Sequence, residues 1–176
     1  KIANLLLDKG LAYKCYCSVE DLKKEKEAAL KKKIPYKYSG KCRNIKEPLS
    51  DKFVLRIKVP DTGLLKLQDR IQGSVTVDYN NLEDFIILRS DNTPTYMLAV
   101  VVDDYVMNIS DIIRGDDHLT NTFKQIIIYN ALEWKVPKFS HIPLIYGPDG
   151  SKLSKRHGAQ SVLDYKKQRF MPEALN

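Results

Sequence analysis

The sequence predicts an α/β protein, and three observations carry that expectation. Its 176 residues are 43% hydrophobic and 29% charged, enough to bury a real core. Residues up to about 90 mix one strongly helical, charged segment with short alternating apolar runs. After Pro94 the texture changes to longer apolar blocks in which strand and helix patterns alternate, the pattern of a parallel sheet.

The elements follow in order. Lys1-Ile2-Ala3-Asn4-Leu5-Leu6-Leu7 reads as the inside of a helix. Ser18-Val19-Glu20-Asp21 resembles a capping box, and residues 21–33 form a strong helix with few apolar side chains, Leu22 and Leu30 among them, so that helix is expected to be solvated. Pro35, Gly40 and Pro48 mark an irregular stretch. In residues 53–59 the side chains of Phe53, Leu55, Ile57 and Val59 share one face, which predicts a half-buried strand with Arg56 and Lys58 facing outward. Val75, Val77 and Tyr79 alternate in the same way, and residues 85–88 are a continuous apolar run typical of a buried strand. Residues 96–107 contain several valines, but their length and the spacing of Tyr96, Val100, Asp103 and Met107 select a helix. A strand over 109–113, a helical pattern through Phe123, Ile126, Ile127, Ala131 and Trp134, and a strand over 139–145 complete the series. Met171-Pro172-Glu173 looks like a helix opening, and both ends read as cut from a longer chain.

Lys and Arg number 29 against 22 Asp and Glu, a formal charge of +7 that favours a polyanionic partner. No run approaches the roughly 20 apolar residues of a spanning helix, and the longest candidate, residues 98–102, stops at Asp103 and Asp104. Three Cys residues, an odd number in a Lys-rich chain without an export signal, argue against a disulfide framework and for a cytoplasmic setting.

Residues 147–158 form a Gly/Pro/Asp turn that carries Lys152, Lys155 and Arg156. Such a loop can close over a triphosphate and neutralise the charge that grows as a bond breaks; a solvated basic turn is the simpler alternative. Arg114 follows an apolar strand and precedes Gly115, which puts it at the carboxyl edge of a parallel sheet, where ligands bind. A guanidinium there suits a carboxylate, with Tyr96 supplying a hydroxyl. Arg114 can instead pair with Asp116 or Asp117, Tyr96 can be a core aromatic, and the two aspartates can simply favour a helix N-terminus. Asp103 and Asp104 point in different directions on a helix and are assigned structural roles, while His141, in an apolar strand, reads as a satisfied core histidine.

Lys152-Leu153-Ser154-Lys155-Arg156 resembles the KMSKS signature of class I aminoacyl-tRNA synthetases. Three further segments are similar to the glutamyl-tRNA synthetase family in order and spacing: residues 90–104, beginning Ser90-Asp91-Asn92-Thr93-Pro94-Thr95-Tyr96; Ile113-Arg114-Gly115-Asp116-Asp117-His118-Leu119; and Met171-Pro172-Glu173-Ala174-Leu175. The resemblance runs nearly the whole length. It implies a class I Rossmann-like catalytic fold whose second half occupies residues 91–146, preceded by an α/β acceptor-stem-binding insertion over 1–90 and followed by the KMSKS-type loop and the start of the stem-contact region over 147–176. It further implies that Lys155 stabilises the phosphates of ATP, with Lys152 assisting, Arg156 closing the loop and Ser154 as part of the same motif. Tyr96 and Arg114 fall in the glutamate pocket, and Asp117 and His118 beside the adenosine of ATP. The implied reaction activates L-glutamate with ATP and Mg2+, then transfers it to tRNA(Glu), in a protein expected to be monomeric.

Cys15 and Cys17 are separated by one residue, and Cys42 follows the charged helix; thiolates so spaced suit tetrahedral zinc, which needs a fourth ligand. Some members of the family are similar in carrying zinc here, held by Cys-x-Cys, a later Cys, and either a Tyr four residues before it or a His two after it. Tyr38 stands at the first place and Asn44 at the second. Three reduced cysteines are the plain alternative. No HIGH-type signature occurs in the 176 residues, so the chain alone is expected to be inactive. Two other readings stay open. One is the shorter glutamyl-queuosine tRNA(Asp) synthetase, which shares the Cys and Tyr pattern but departs from Ser154-Lys155-Arg156-His157-Gly158; the other is a non-catalytic RNA-binding module.

Overall fold

The computed structural model describes residues 1–45, 47–146, 150, 152 and 161–174. Helix α1 (Ile2–Asp8) buries Ala3 and Leu6 against strand β1 (Ala12–Cys15). Helix α2 (Val19–Lys31) starts at Ser18, whose hydroxyl accepts from the Asp21 amide at 3.0 Å, and it buries no residue, as its charged sequence requires. Strand β2 (Val54–Ile57) lies between β1 and β5 (Ile86–Leu88) in an antiparallel sheet of order β1-β2-β5. Strands β3 (Leu64–Asp69) and β4 (Gly73–Asp78) form a hairpin.

Helix α3 (Tyr96–Val106), strand β6 (Asp111–Gly115), helix α4 (Leu119–Ala131) and strand β7 (Lys138–Ile142) follow. The predicted strand, helix, strand alternation is therefore a true β6-α4-β7 crossover, with five parallel pairs running from Asp111 opposite Lys138 to Gly115 opposite Ile142. Strand β7 also pairs in parallel with β3 at Asp69 and Phe139, so the second sheet has the order β4-β3-β7-β6 and draws strands from both sides of residue 90. One continuous core joins Leu55 and Ile57 of β2, Leu65 and Leu67 of β3, Val101 of α3, Phe123 and Ile128 of α4 and Phe139 of β7. Tyr105 and Trp134 stack at 3.7 Å and close the far end of the α3/α4 pair. Helix α5 (Val162–Lys167) begins with a capping box made by Ser161 and Asp164. Among the described residues no helix is long and apolar enough to cross a membrane.

One expectation fails. Arg56 does not face outward; it is 6% exposed. Strand β2 has both faces covered, Leu55 and Ile57 by the main core and Arg56 by a second cluster made of Tyr13, Cys15, Tyr38 and Cys42. Strict alternation predicts a solvated face only when nothing packs on it, and here residues 38–42 do. Strands β1 and β3 are further elements that the apolar patterning does not single out.

Candidate functional site

The first site gathers at the carboxyl end of β6. Gly115 is followed by a single 3₁₀ turn, Asp116–His118, that leads directly into α4. A Cβ on Gly115 would stand 2.7 Å from an Asp117 carboxylate oxygen and 3.1 Å from a Leu144 methyl, so any larger residue here would have to displace the Asp117 side chain from its present position. Ile113 stays 71% exposed, while its neighbour Arg114 turns inward. The Arg114 guanidinium donates from Nε to Nε2 of His141 at 3.2 Å, and from Nη2 to Gln125 Oε1 at 2.8 Å and Thr122 Oγ1 at 2.5 Å. Burial lowers its pKa, while the Tyr96 hydroxyl, within hydrogen-bond reach, and Asp104 raise it; arginine stays charged in such a setting. Neither Asp116 nor Asp117 pairs with Arg114, which removes that simple alternative.

Tyr96 opens α3 and is 49% exposed, its ring 6.5 Å from that of His118. It is not a core aromatic. His118 also meets the Asn121 amide through Nδ1 at 3.3 Å. Asp117 accepts from Lys152 Nζ at 2.5 Å, and that contact holds the Asp117 carboxyl below the ordinary range. Tyr96, Arg114, Asp117, His118 and Lys152 are thus brought to one sheet edge from separate stretches of sequence. Ser154, Lys155, Arg156 and His157 lie outside the described residues.

The second site is the cluster on the outer face of β2. Tyr38 Oη lies 3.3 Å from Cys15 Sγ and 3.4 Å from Cys17 Sγ, and Cys17 Sγ lies 3.5 Å from Cys42 Sγ. All three sulfurs fall within 4.8 Å of one another. Burial, with the neighbouring sulfurs, pushes Cys17 up to about 12; for Cys15 burial acts in the same sense, but hydrogen bonds from Tyr38, the Cys17 amide and Arg56 outweigh it and lower the thiol. The Arg56 guanidinium stacks over the Tyr38 ring at 3.8 Å and donates from Nη1 to the Asp84 carbonyl at 2.6 Å. Asp84 braces the same corner: its carboxylate accepts from Tyr13 Oη at 2.7 Å, from Arg43 Nε at 2.6 Å and from the Val59 amide at 2.9 Å. Asn44, by contrast, lines a separate groove with Lys14 and Lys58.

Sequence patterns do not single out Asp69, Thr122, Gln125 or Asp84, although all four are buried. Buried acids and amides carry no periodic signal. A polar residue interrupting an apolar face, such as Gln125 inside Phe123-Lys124-Gln125-Ile126, is the available hint.

In open α/β sheets ligands bind outside the carboxyl ends of the parallel strands, and Arg114 stands at that end of β6. Residues 1–176 match the family described as tRNA synthetases class I (E and Q), catalytic domain, and the chain belongs to that family. It is 50% identical over its full length to glutamate–tRNA ligase 1 of Gluconacetobacter diazotrophicus and 52% identical over 99% of its length to glutamate–tRNA ligase 1 of Ehrlichia canis. It spans 38% of the length of each of these relatives. A crystal structure of a glutamate tRNA ligase from Elizabethkingia meningosepticum in complex with its amino acid superposes with a TM-score of 0.77 and 29% identity, over 89% of this chain and 35% of that one.

Proposed function

We propose that this chain is the central part of a glutamate–tRNA ligase, and that the edge of β6 holds glutamate and the adenosine end of ATP. The convergence of Tyr96, Arg114, Asp117, His118 and Lys152 at that edge carries the reading. An oxygen of the glutamate α-carboxylate attacks the α-phosphorus of Mg2+-bound ATP, the bond to pyrophosphate breaks, and glutamyl adenylate remains. A terminal ribose hydroxyl of tRNA then attacks the activated carbonyl and AMP leaves. The α-carboxylate is consumed in the first step, so a guanidinium fixed in place suits the side-chain carboxylate, which stays anionic throughout. Lys152 is held by Asp117 here and is available to a phosphate that competes for it, with Ser154, Lys155 and Arg156 completing the loop. No side chain acts as a covalent nucleophile; positioning and charge supply the catalysis.

Residues 1–90 serve in this reading as the acceptor-stem-binding insertion, 91–146 as the second half of the Rossmann-like fold and 147–176 as the signature loop with the start of the stem-contact region. The parent works as a cytoplasmic monomer. Cys15, Cys17, Tyr38 and Cys42 would hold a structural zinc ion. A tetrahedron with metal–sulfur distances of about 2.3 Å has sulfur–sulfur edges of about 3.8 Å, and the donor separations here fit that scale. Four protein donors would close the site, so zinc supplies crosslinking rather than chemistry.

The test is Arg114→Ala in the full-length protein, assayed by pyrophosphate exchange with tRNA present. The glutamate KM should rise roughly 100-fold while the ATP KM holds, the cost of one charge-assisted contact. An unchanged glutamate KM would overturn the assignment.

A further inference from the structure

We propose that Asp69 and His141 are positioning residues that set the orientation of Arg114, so that a strand of the first ninety residues controls affinity for the amino acid. The proposal rests on the reading of Arg114 as the glutamate ligand.

Donor accounting fixes the chain of contacts. Arginine Nε is a donor only, so His141 Nε2, 3.2 Å away, accepts from it. The Thr122 hydroxyl, 2.9 Å from the same nitrogen, accepts from Arg114 Nη2 and is free to point its own proton at Nε2 or at the His118 carbonyl, 3.2 Å away, so it needs no ring proton. The ring is then neutral with its proton on Nδ1, and Nδ1–H donates to Asp69 Oδ2 at 2.7 Å. Asp69 in turn cannot move. Its other oxygen accepts from the amides of Ile71 and Gln72, both at 2.9 Å, and of His141 at 3.2 Å, which ties it to the β3–β4 turn and to β7 together. Gln72 adds a bond from its side-chain amide to the His141 carbonyl at 3.1 Å. Asp69 and His141 are 2% and 0% exposed.

Two features separate this from an ordinary satisfied core histidine. The side chains that touch Arg114, on His141, Thr122, Gln125 and Tyr96, are neutral, and among the described residues no carboxylate closes an ion pair with it; Asp104 acts on it only at longer range. The positive charge is therefore aimed but not directly paired, with the Asp69 carboxylate one ring away and Asp104 acting at longer range. Gln125 also keeps a buried amide nitrogen without a partner among the described residues, a cost of about 1–3 kcal/mol that a cluster serving stability alone would avoid. The cluster is arranged around the guanidinium.

Asp69→Asn tests the idea through the tautomer. An Asn whose oxygen still serves the three amides turns its NH2 toward the ring, so the ring proton moves to Nε2 and opposes the Arg114 N–H. In the full-length enzyme, pyrophosphate exchange should then show a glutamate KM raised roughly tenfold or more, with kcat and the ATP KM within about twofold. A folded Asp69→Asn enzyme with an unchanged glutamate KM, beside an Arg114→Ala enzyme whose KM has risen, would overturn the positioning role alone. If Arg114→Ala leaves KM unchanged, the glutamate reading fails first and the positioning role with it. If Asp69→Asn fails to fold, His141→Gln and His141→Asn decide. Gln reaches the Nε2 position and can offer Arg114 an acceptor, whereas Asn reaches only the Asp69 side. A higher glutamate KM in Asn than in Gln supports the proposal, and equal values refute it.

Discussion

Arg56 and Arg114 sit in nearly the same sequence setting, each on a strand directly after an aliphatic residue, Leu55 in one case and Ile113 in the other, yet they end in opposite electrostatic situations. Arg114 is followed by Gly115 and a turn, so its guanidinium reaches the open edge of β6, where three neutral acceptors aim it. Arg56 is followed by Ile57 in the middle strand of a sheet and is capped by Tyr38; its Nε has no partner among the described residues. In the proposed reading, Arg114 is aimed at the carboxylate of a substrate. Arg56 is committed to packing beside a thiol cluster. What a strand arginine does is decided by what covers its face and by whether the strand ends there, and alternation along the strand carries neither piece of information.

The largest effect that would sharpen this contrast lies beside Arg56. Cys42→Ser in the full-length protein should take zinc from about one per chain to a small fraction and, with the loss of several kcal/mol of coupled folding energy, lower Tm by on the order of 10 °C. Elemental analysis and melting of chelator-washed protein measure both. Wild-type protein without zinc, its three thiols freely reactive, would reduce the cluster to ordinary packing. The glutamate KM of this variant should stay close to wild type, whereas Arg114→Ala should behave in the opposite way.

Arg56→Ala comes next. It loses a buried cation–π interaction and a charge-assisted hydrogen bond to Asp84, together about 3 kcal/mol of stability. Denaturant unfolding would show it as a lower midpoint with an unchanged slope. If stability held and only tRNA affinity fell, the side chain would be facing solvent as strand alternation predicts.

Much of the second half is legible in the sequence because its physics is local. The β6-α4-β7 unit follows from apolar periodicity, and the helix over α3 from its length. Motif resemblance points to Arg114, Tyr96, Asp117 and His118, but their meeting at one edge needs the fold. The cysteines are legible as a set of types and spacings, and Tyr38 as a candidate partner, but the separations of 3.3 to 3.5 Å depend on residues 34–45 folding back over β2. Asp69 is invisible for the same reason. Its partner His141 lies 72 residues away, and the single β3–β7 register point that joins them has no sequence signature.

The smallest expected effect belongs to Lys58, which follows β2 directly and which alternation over residues 53–59 places on the same face as Arg56. Lys58 is half-buried and lines an open groove with Lys14 and Tyr16, so it keeps the solvent access that Arg56 lacks. If the first ninety residues grip an acceptor stem through its phosphates, removing one phosphate-bound lysine should reduce the slope of log affinity against log salt by about 0.9. Lys58→Ala should therefore weaken tRNA binding modestly at low salt, progressively less as salt rises, and without altering preference among tRNA sequences, because phosphate contacts carry no sequence information. Filter binding across a salt series reads the slope directly. An unchanged slope would remove Lys58 from the interface, and an equal drop in slope for Arg56→Ala would mean that the two residues share one exposed face after all.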